Sequence, residues 1–274
     1  MNTPTQRAQT SQTHYGGAGL LAKVQTALAA LGPEETVLTV PQLAMLNQFH
    51  TRGMLATGEI AEAMGLTAGM AVLDLGCGIG GPARYLAATY DVHVTGIDLS
   101  PSFIDTARYL SQRCDLGDRT TFLAGDATDP PVADGSIDRV FMQHVAMNIA
   151  DRGALYRAIR RVLKLGGRFA TYDIVAKDGA PHFPVPWAAT PDSSHLLTEA
   201  ETREALIAAG FSIDLWRDDT GAASHWFTAL PAGGLPTGPS LALVLGADFA
   251  AMTGTLARNI REGRVGVLTA IVSC

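Results

Sequence analysis

Leu20, Leu21, Val24, Leu28 and Leu31 recur at helical spacing until Gly32-Pro33 stops them. A second helical stretch runs from about Gly53 to Met64, with Leu55, Ile60 and Met64 as its apolar positions and Gly65 behind it. From Met70 the pattern changes. Short apolar runs (72–75, 92–97, 120–124, 137–143 and 168–174) alternate with helical segments. Ser100-Pro101 opens one of these helices, with serine as cap and proline at the first helical position. Leu155, Ile159 and Val162 mark another, which is expected to end at Gly166-Gly167. Thr198-Glu199-Ala200-Glu201 reads as a capping box for a helix closed by Gly210. Phe211, Ile213 and Leu215 alternate as a sixth strand. Leu241, Leu245, Phe249, Met252, Leu256 and Ile260 step by three or four, predicting one long amphipathic helix. The β-branched run 264–272 is the last strand. This alternation predicts an α/β domain with a mainly parallel sheet covered on both faces.

Composition narrows the function. The chain has 274 residues, 47% apolar and 17% charged, enough for a large core in one elaborated domain. Its net charge of −6 disfavours a partner bound through phosphate neutralisation, so no nucleic acid is expected. The three cysteines are scattered, which leaves no disulfide framework or zinc knuckle. No apolar run reaches the roughly 18 residues of a membrane span. The first thirteen residues lack the apolar stretch of a signal peptide. A soluble cytoplasmic protein without a membrane partner is the expectation, and its oligomeric state stays open.

Candidate chemistry begins at Asp74-Leu75-Gly76-Cys77-Gly78-Ile79-Gly80-Gly81, the turn after the first strand. Glycines there let the backbone approach a ligand closely. Gly76, Gly78 and Gly81 also match the dinucleotide pattern, which alone is weak. Asp74 departs from the apolar residue expected before a dinucleotide turn and can serve an ammonium group. Asp98 ends the second strand, where a carboxylate can accept both ribose hydroxyls. Asp126, followed by Ala127, lies beyond the third strand, where it can accept from an adenine amino group. A tight turn with helix-capping aspartates is the bland alternative. An adenosine with a compact zwitterionic tail fits better than a pyrophosphate.

These residues resemble a class I S-adenosylmethionine-dependent methyltransferase. The resemblance is carried by Val72 to Gly80, Gly96-Ile97-Asp98-Leu99, Gly125-Asp126-Ala127 and Arg161 to Gly167, and is strong from about Phe49 to Val175. It implies a Rossmann-like seven-stranded sheet with a helical cap, the last strand inserted antiparallel. It implies S-adenosyl-L-methionine as cofactor, S-adenosyl-L-homocysteine as product, and contacts from Gly76, Gly78, Asp98, Leu99, Asp126 and Ala127. Leu165 departs from the family's usual proline, which alters a turn only. Residues 1–68 are expected to form a helical lid, and 69–274 the core, with cap insertions at about 176–197 and 221–262. In small-molecule members, a segment such as Phe49 to Gly53 folds over the methionine end, which brings in His50 and Gly53. Tyr15 could join that lid.

The fourth strand ends in Gln143-His144-Val145-Ala146-Met147-Asn148 and lacks the Asn-Pro-Pro-Tyr motif of DNA and protein-glutamine members. Gln143 is expected beside the cofactor. His144 is a candidate base or orienting residue, since its ordinary pKa suits proton transfer; a packed strand-end histidine is the alternative. Met147, Phe183, Trp187 and Trp226 are expected around the acceptor, a neutral or amphipathic small molecule methylated on N, O or C. They could equally seal a cap against the sheet. No histidine spacing supports a metal. Two other readings remain: a cyclase of the same fold that binds the cofactor without methyl transfer, and a nicotinamide oxidoreductase, which Asp74 and Asp126 disfavour.

Overall fold

The computed structural model describes residues 19–229 and 239–274, so the expected role of Tyr15 lies outside the described residues. The strands are β1 (Ala71–Leu75), β2 (His93–Asp98), β3 (Thr120–Ala124), β4 (Ile137–Gln143), β5 (Leu163–Ala176), β6 (Ser212–Asp218) and β7 (Val265–Ser273). They form one sheet in the order β3-β2-β1-β4-β5-β7-β6. The first five strands are mutually parallel, and β7 pairs antiparallel with both β5 and β6. The strand order reverses direction next to β1. All the parallel strands therefore point their C-terminal ends at one edge, with β1 and β4 side by side at the switch point.

The helices on the two faces are buried along one stripe each. They include α1 (Leu20–Leu28), α2 (Ala44–Asn47), α3 (Gly53–Met64), α4 (Gly81–Tyr90), α5 (Pro101–Arg113), α6 (Arg152–Val162) and α7 (Glu199–Ala208). Serine and proline start α5 as expected: the Ser100 hydroxyl accepts from the Phe103 amide. Both halves of the Thr198–Glu201 capping box are formed. Leu20, Val24 and Leu28 pack with Phe103 and Leu110 of α5, which fastens the N-terminal helix to the core. No described helix is long and apolar enough to cross a membrane.

Three local expectations are corrected. Helix α6 ends at Val162, not at Gly166-Gly167, because residues 163–176 join the sheet; Leu163 already pairs with Ile137. The long C-terminal helix is two helices, α9 (Leu241–Leu245) and α10 (Phe249–Arg261), separated at Gly246, whose φ of 91° no right-handed helix accommodates. His225-Trp226-Phe227 lies in α8 (Thr220–Ala229), within the cap insertion expected at about 221–262. Leu55 is 61% exposed, so the buried face of α3 is carried by Ala56, Ile60 and Met64.

Candidate functional site

A cavity of about 1200 Å³ opens over the C-terminal edge of the sheet. Its floor is the turn between β1 and α4. The amides of Gly76 and Cys77 both donate to the Ile97 carbonyl, at 2.8 and 3.0 Å, which ties the turn to the end of β2. Gly76 (φ 71°) and Gly78 (φ 53°) are left-handed, and both border the cavity. A Cβ on Gly76 would collide with Val145, and one on Gly78 would press the Phe49 ring at 3.0 Å.

Asp98, at the end of β2, faces this turn. Its Oδ2 accepts the Gly78 amide at 3.0 Å and its Oδ1 the Ser100 amide at 2.9 Å. Each oxygen keeps lone-pair capacity for a ligand hydroxyl. Burial pushes its pKa up to about 6 against the lowering effect of those two amides. Leu99, Asp126, Ala127 and Gln143 border the same cavity. Asp126 is oriented by Thr128, whose amide and hydroxyl both donate to Oδ1 at 2.8 Å.

Three expected residues lie elsewhere. Asp74 is 2% exposed and does not border the cavity. It lies beneath the turn, where it accepts from the Ala83 amide, and its Oδ2 is buried without a partner. Burial and the nearby Asp98 charge push its pKa up to about 7. Gly53 opens α3, and its carbonyl accepts from His50 Nε2 at 2.9 Å; it supports a lining residue without being one. Phe183 packs on the main core cluster beside Val185 and Trp187. Its segment is pinned by Asn259, which bonds the His182 main chain at both its amide and its carbonyl.

The other expected residues meet. His50, His144, Met147, Trp187 and Trp226 all line the cavity. His50 Nε2 must carry a proton to reach the Gly53 carbonyl, which only accepts. That nitrogen also lies 3.1 Å from Thr57 Oγ1, whose hydroxyl donates to Gln143 Oε1 at 2.9 Å. Burial pushes the His50 pKa down to about 4, against the effect of the Gly53 carbonyl. His144 follows β4 with φ 54° and stacks on Tyr172 of β5, ring centroids 5.2 Å apart. Its Nε2 lies 3.4 Å from Thr51 Oγ1, which is 2.8 Å from the Tyr172 hydroxyl. The Arg52 guanidinium borders that hydroxyl and can only donate to it. Burial, and then His50, push the His144 pKa well below the ordinary histidine value.

Lining residues that the sequence did not signal include Phe103, Arg152, His195 and the apolar wall of Leu241, Leu245, Phe249 and Leu256. Phe103 is one turn into α5 and meets Phe49 edge-on at 5.7 Å. The wall residues had been legible only as a helix stripe. Among the described residues, no group of three or more His, Cys, Asp or Glu is arranged to hold a metal ion.

Residues 73–171 match the family model described as a methyltransferase domain. The chain is 37% identical over 133 residues to a phosphoethanolamine N-methyltransferase of Triticum aestivum, covering 48% of this chain and 26% of that protein. It is 35% identical over 119 residues to a sterol 24-C-methyltransferase of Gibberella zeae, covering 43% and 31%. The match thus spans about a third or less of these two relatives. The crystal structure of geranyl diphosphate C-methyltransferase from Streptomyces coelicolor, in complex with Mg2+, geranyl-S-thiolodiphosphate and S-adenosyl-L-homocysteine, superposes with a TM-score of 0.69. That likeness covers 99% of both chains at 15% identity, and speaks for the fold.

Proposed function

Residues 73–171 being a methyltransferase domain on a class I sheet, we propose that the chain is an S-adenosylmethionine-dependent methyltransferase acting on an N, O or C atom of a small molecule. One observation carries the reading. The Asp98 carboxylate, the two left-handed glycines and the Asp126-Ala127 step, from three different strand ends, border one cavity at the switch point. Asp98 would hold the ribose hydroxyls, Asp126 and Ala127 the adenine end, and Gly76 and Gly78 the methionine part. The buried, unpartnered Asp74 oxygen suits a positive charge on the far side of the turn.

When bound, the cofactor supplies a sulfonium methyl group for in-line displacement by the acceptor. The chain's own part is positioning and exclusion of water. Phe49, His50 and Thr51 roof the glycine turn, and Gln143 is locked by Thr57. His144 borders the cavity, and burial holds its pKa well below the ordinary histidine value. We assign it the orientation of the acceptor, because a histidine with so low a pKa is a weak base.

Methyl transfer is preferred to cyclisation without transfer because the family model and both relatives above are methyltransferases. The test is incubation with methyl-labelled S-adenosylmethionine and fractions of a small-molecule extract. Transfer of label to an extract component, with release of S-adenosylhomocysteine, is expected. Cofactor binding with no label transferred by any fraction would favour the cyclase reading.

A further inference from the structure

The acceptor side of the cavity has a charge pattern that selects among small molecules. Four aspartates line the cavity: Asp98, Asp126, Asp151 and Asp192. Among the described residues Arg152 is the only arginine or lysine that lines it, and the lining histidines are His50, His144 and His195. That guanidinium is already engaged. Arg152 is 7% exposed, its Nη2 donates to the His195 carbonyl at 2.9 Å, and it lies beside the buried Asp173 carboxylate. Its Nε and Nη1 are buried, closed off from the cavity's solvent, and have no hydrogen-bond partner.

Two other anion sites are closed off. The N-terminus of α6 borders the cavity, where free amides would suit a phosphate. There the Asp151 carboxylate caps the helix, accepting the Ala154 amide at 2.8 Å, so a negative charge already occupies the position. A divalent metal could offset a phosphate, but the described residues form no cluster to hold one. The segment 230–238, which joins two lining helices, contains no charged residue in its sequence. Opposite the acids stand Leu241, Leu245, Phe249 and Leu256, with Trp226 and Phe227.

We propose that the acceptor is an uncharged molecule with an apolar body, carrying no phosphate, diphosphate or carboxylate. The apolar body lies against α9, α10 and the aromatics of α8. Anionic acceptors are rejected by Asp151 and Asp192, which they would meet with no lysine and no exposed guanidinium to offset them. The proposal rests on the cofactor reading above, and its test separates the two.

The protein is first titrated calorimetrically with S-adenosylhomocysteine. The saturated complex is then titrated with geraniol and, separately, geranyl diphosphate, which share one apolar body, while tryptophan fluorescence reports on Trp187 and Trp226. The expected result is saturable binding of geraniol at least about tenfold tighter than of the diphosphate, a gap that narrows in the Asp151→Asn/Asp192→Asn variant. Asparagine still caps α6, so this variant keeps its fold. Equal or tighter binding of the diphosphate, or no binding of geraniol to the saturated complex, overturns the acceptor class and leaves the cofactor reading standing. Failure of S-adenosylhomocysteine itself to bind overturns both.

Discussion

The two ends of the cavity are built by different means. The end over β1, β2 and β3 is made largely of main chain. The Gly76 and Cys77 amides are tied to the Ile97 carbonyl, and a carboxylate is held by two amides. The end under α8, α9 and α10 is made of side chains packed from helices distant in sequence. A main-chain site demands particular residue types at particular spacings, because only glycine tolerates the close approach and the left-handed φ. An apolar wall demands only volume, so many sequences build it. The first end lies within residues 73–171, which match the family model, and the second lies outside them.

The strongest way to break this contrast is Gly76→Val. Its side chain enters a left-handed position already filled by Val145. Overpacking and backbone strain together predict a destabilisation of about 3 kcal/mol and loss of detectable S-adenosylhomocysteine binding. Denaturant melts and calorimetry read both; wild-type binding would show that the turn is not the floor of the cofactor site.

Asp98→Asn comes next, with affinity for S-adenosylhomocysteine reduced about ten- to 100-fold, the worth of charge-assisted hydrogen bonds. The pH dependence has a definite sign. Ribose hydroxyls favour the ionised carboxylate, whose pKa is about 6 in the free protein. Wild-type affinity should therefore fall about tenfold from pH 7.5 to pH 5, as the carboxyl takes up its proton. The asparagine variant should lose the part of that slope due to this carboxyl. A wild-type affinity flat across this range would remove Asp98 from the site.

Smaller effects sharpen the comparison. With an acceptor in hand, His144→Gln should raise the acceptor's KM and lower turnover by less than about tenfold, below the usual range for a general base. A loss of turnover of 100-fold or more, with an inflection that vanishes in the variant, would restore the base. Trp226→Ala should change S-adenosylhomocysteine affinity by no more than about twofold, since it belongs to the other end.

A separate effect, on stability alone, concerns Asp74. Its pKa rises from 3.8 to about 7 on folding, so the folded state holds more protons than the unfolded between those values. Its contribution to stability is then lost as pH rises through that window. Asp74→Asn should gain Tm relative to the wild type as pH goes from 4 to 8; a difference independent of pH would contradict the burial assigned to this carboxyl.

The same distinction explains what could be read in the chain. β3 and β4 and helix α3 have the bounds that their apolar runs indicate, and Asp98, Gly76 and Gly78 stand where the turn pattern put them. Asp74 did not follow, because spacing places a residue on a strand without saying whether it faces the ligand or lies beneath the turn. Phe183 failed similarly: its segment is oriented by Asn259, 76 residues farther on, which no local pattern signals. The stripe from Leu241 to Ile260 was visible as one helix, yet Gly246 divides it into two. Arg152 and His195 gave no sequence signal at all, since their engagement joins a helix start to a distant loop.

The most direct test is amide hydrogen exchange with and without S-adenosylhomocysteine, on protein whose binding stoichiometry has been measured by calorimetry. The account predicts one molecule bound per chain. Protection should rise at residues 76–81, 98–100 and 125–128, with little change in α9 and α10. Absence of binding, or protection confined to α9 and α10 while the glycine turn exchanges as before, would contradict it.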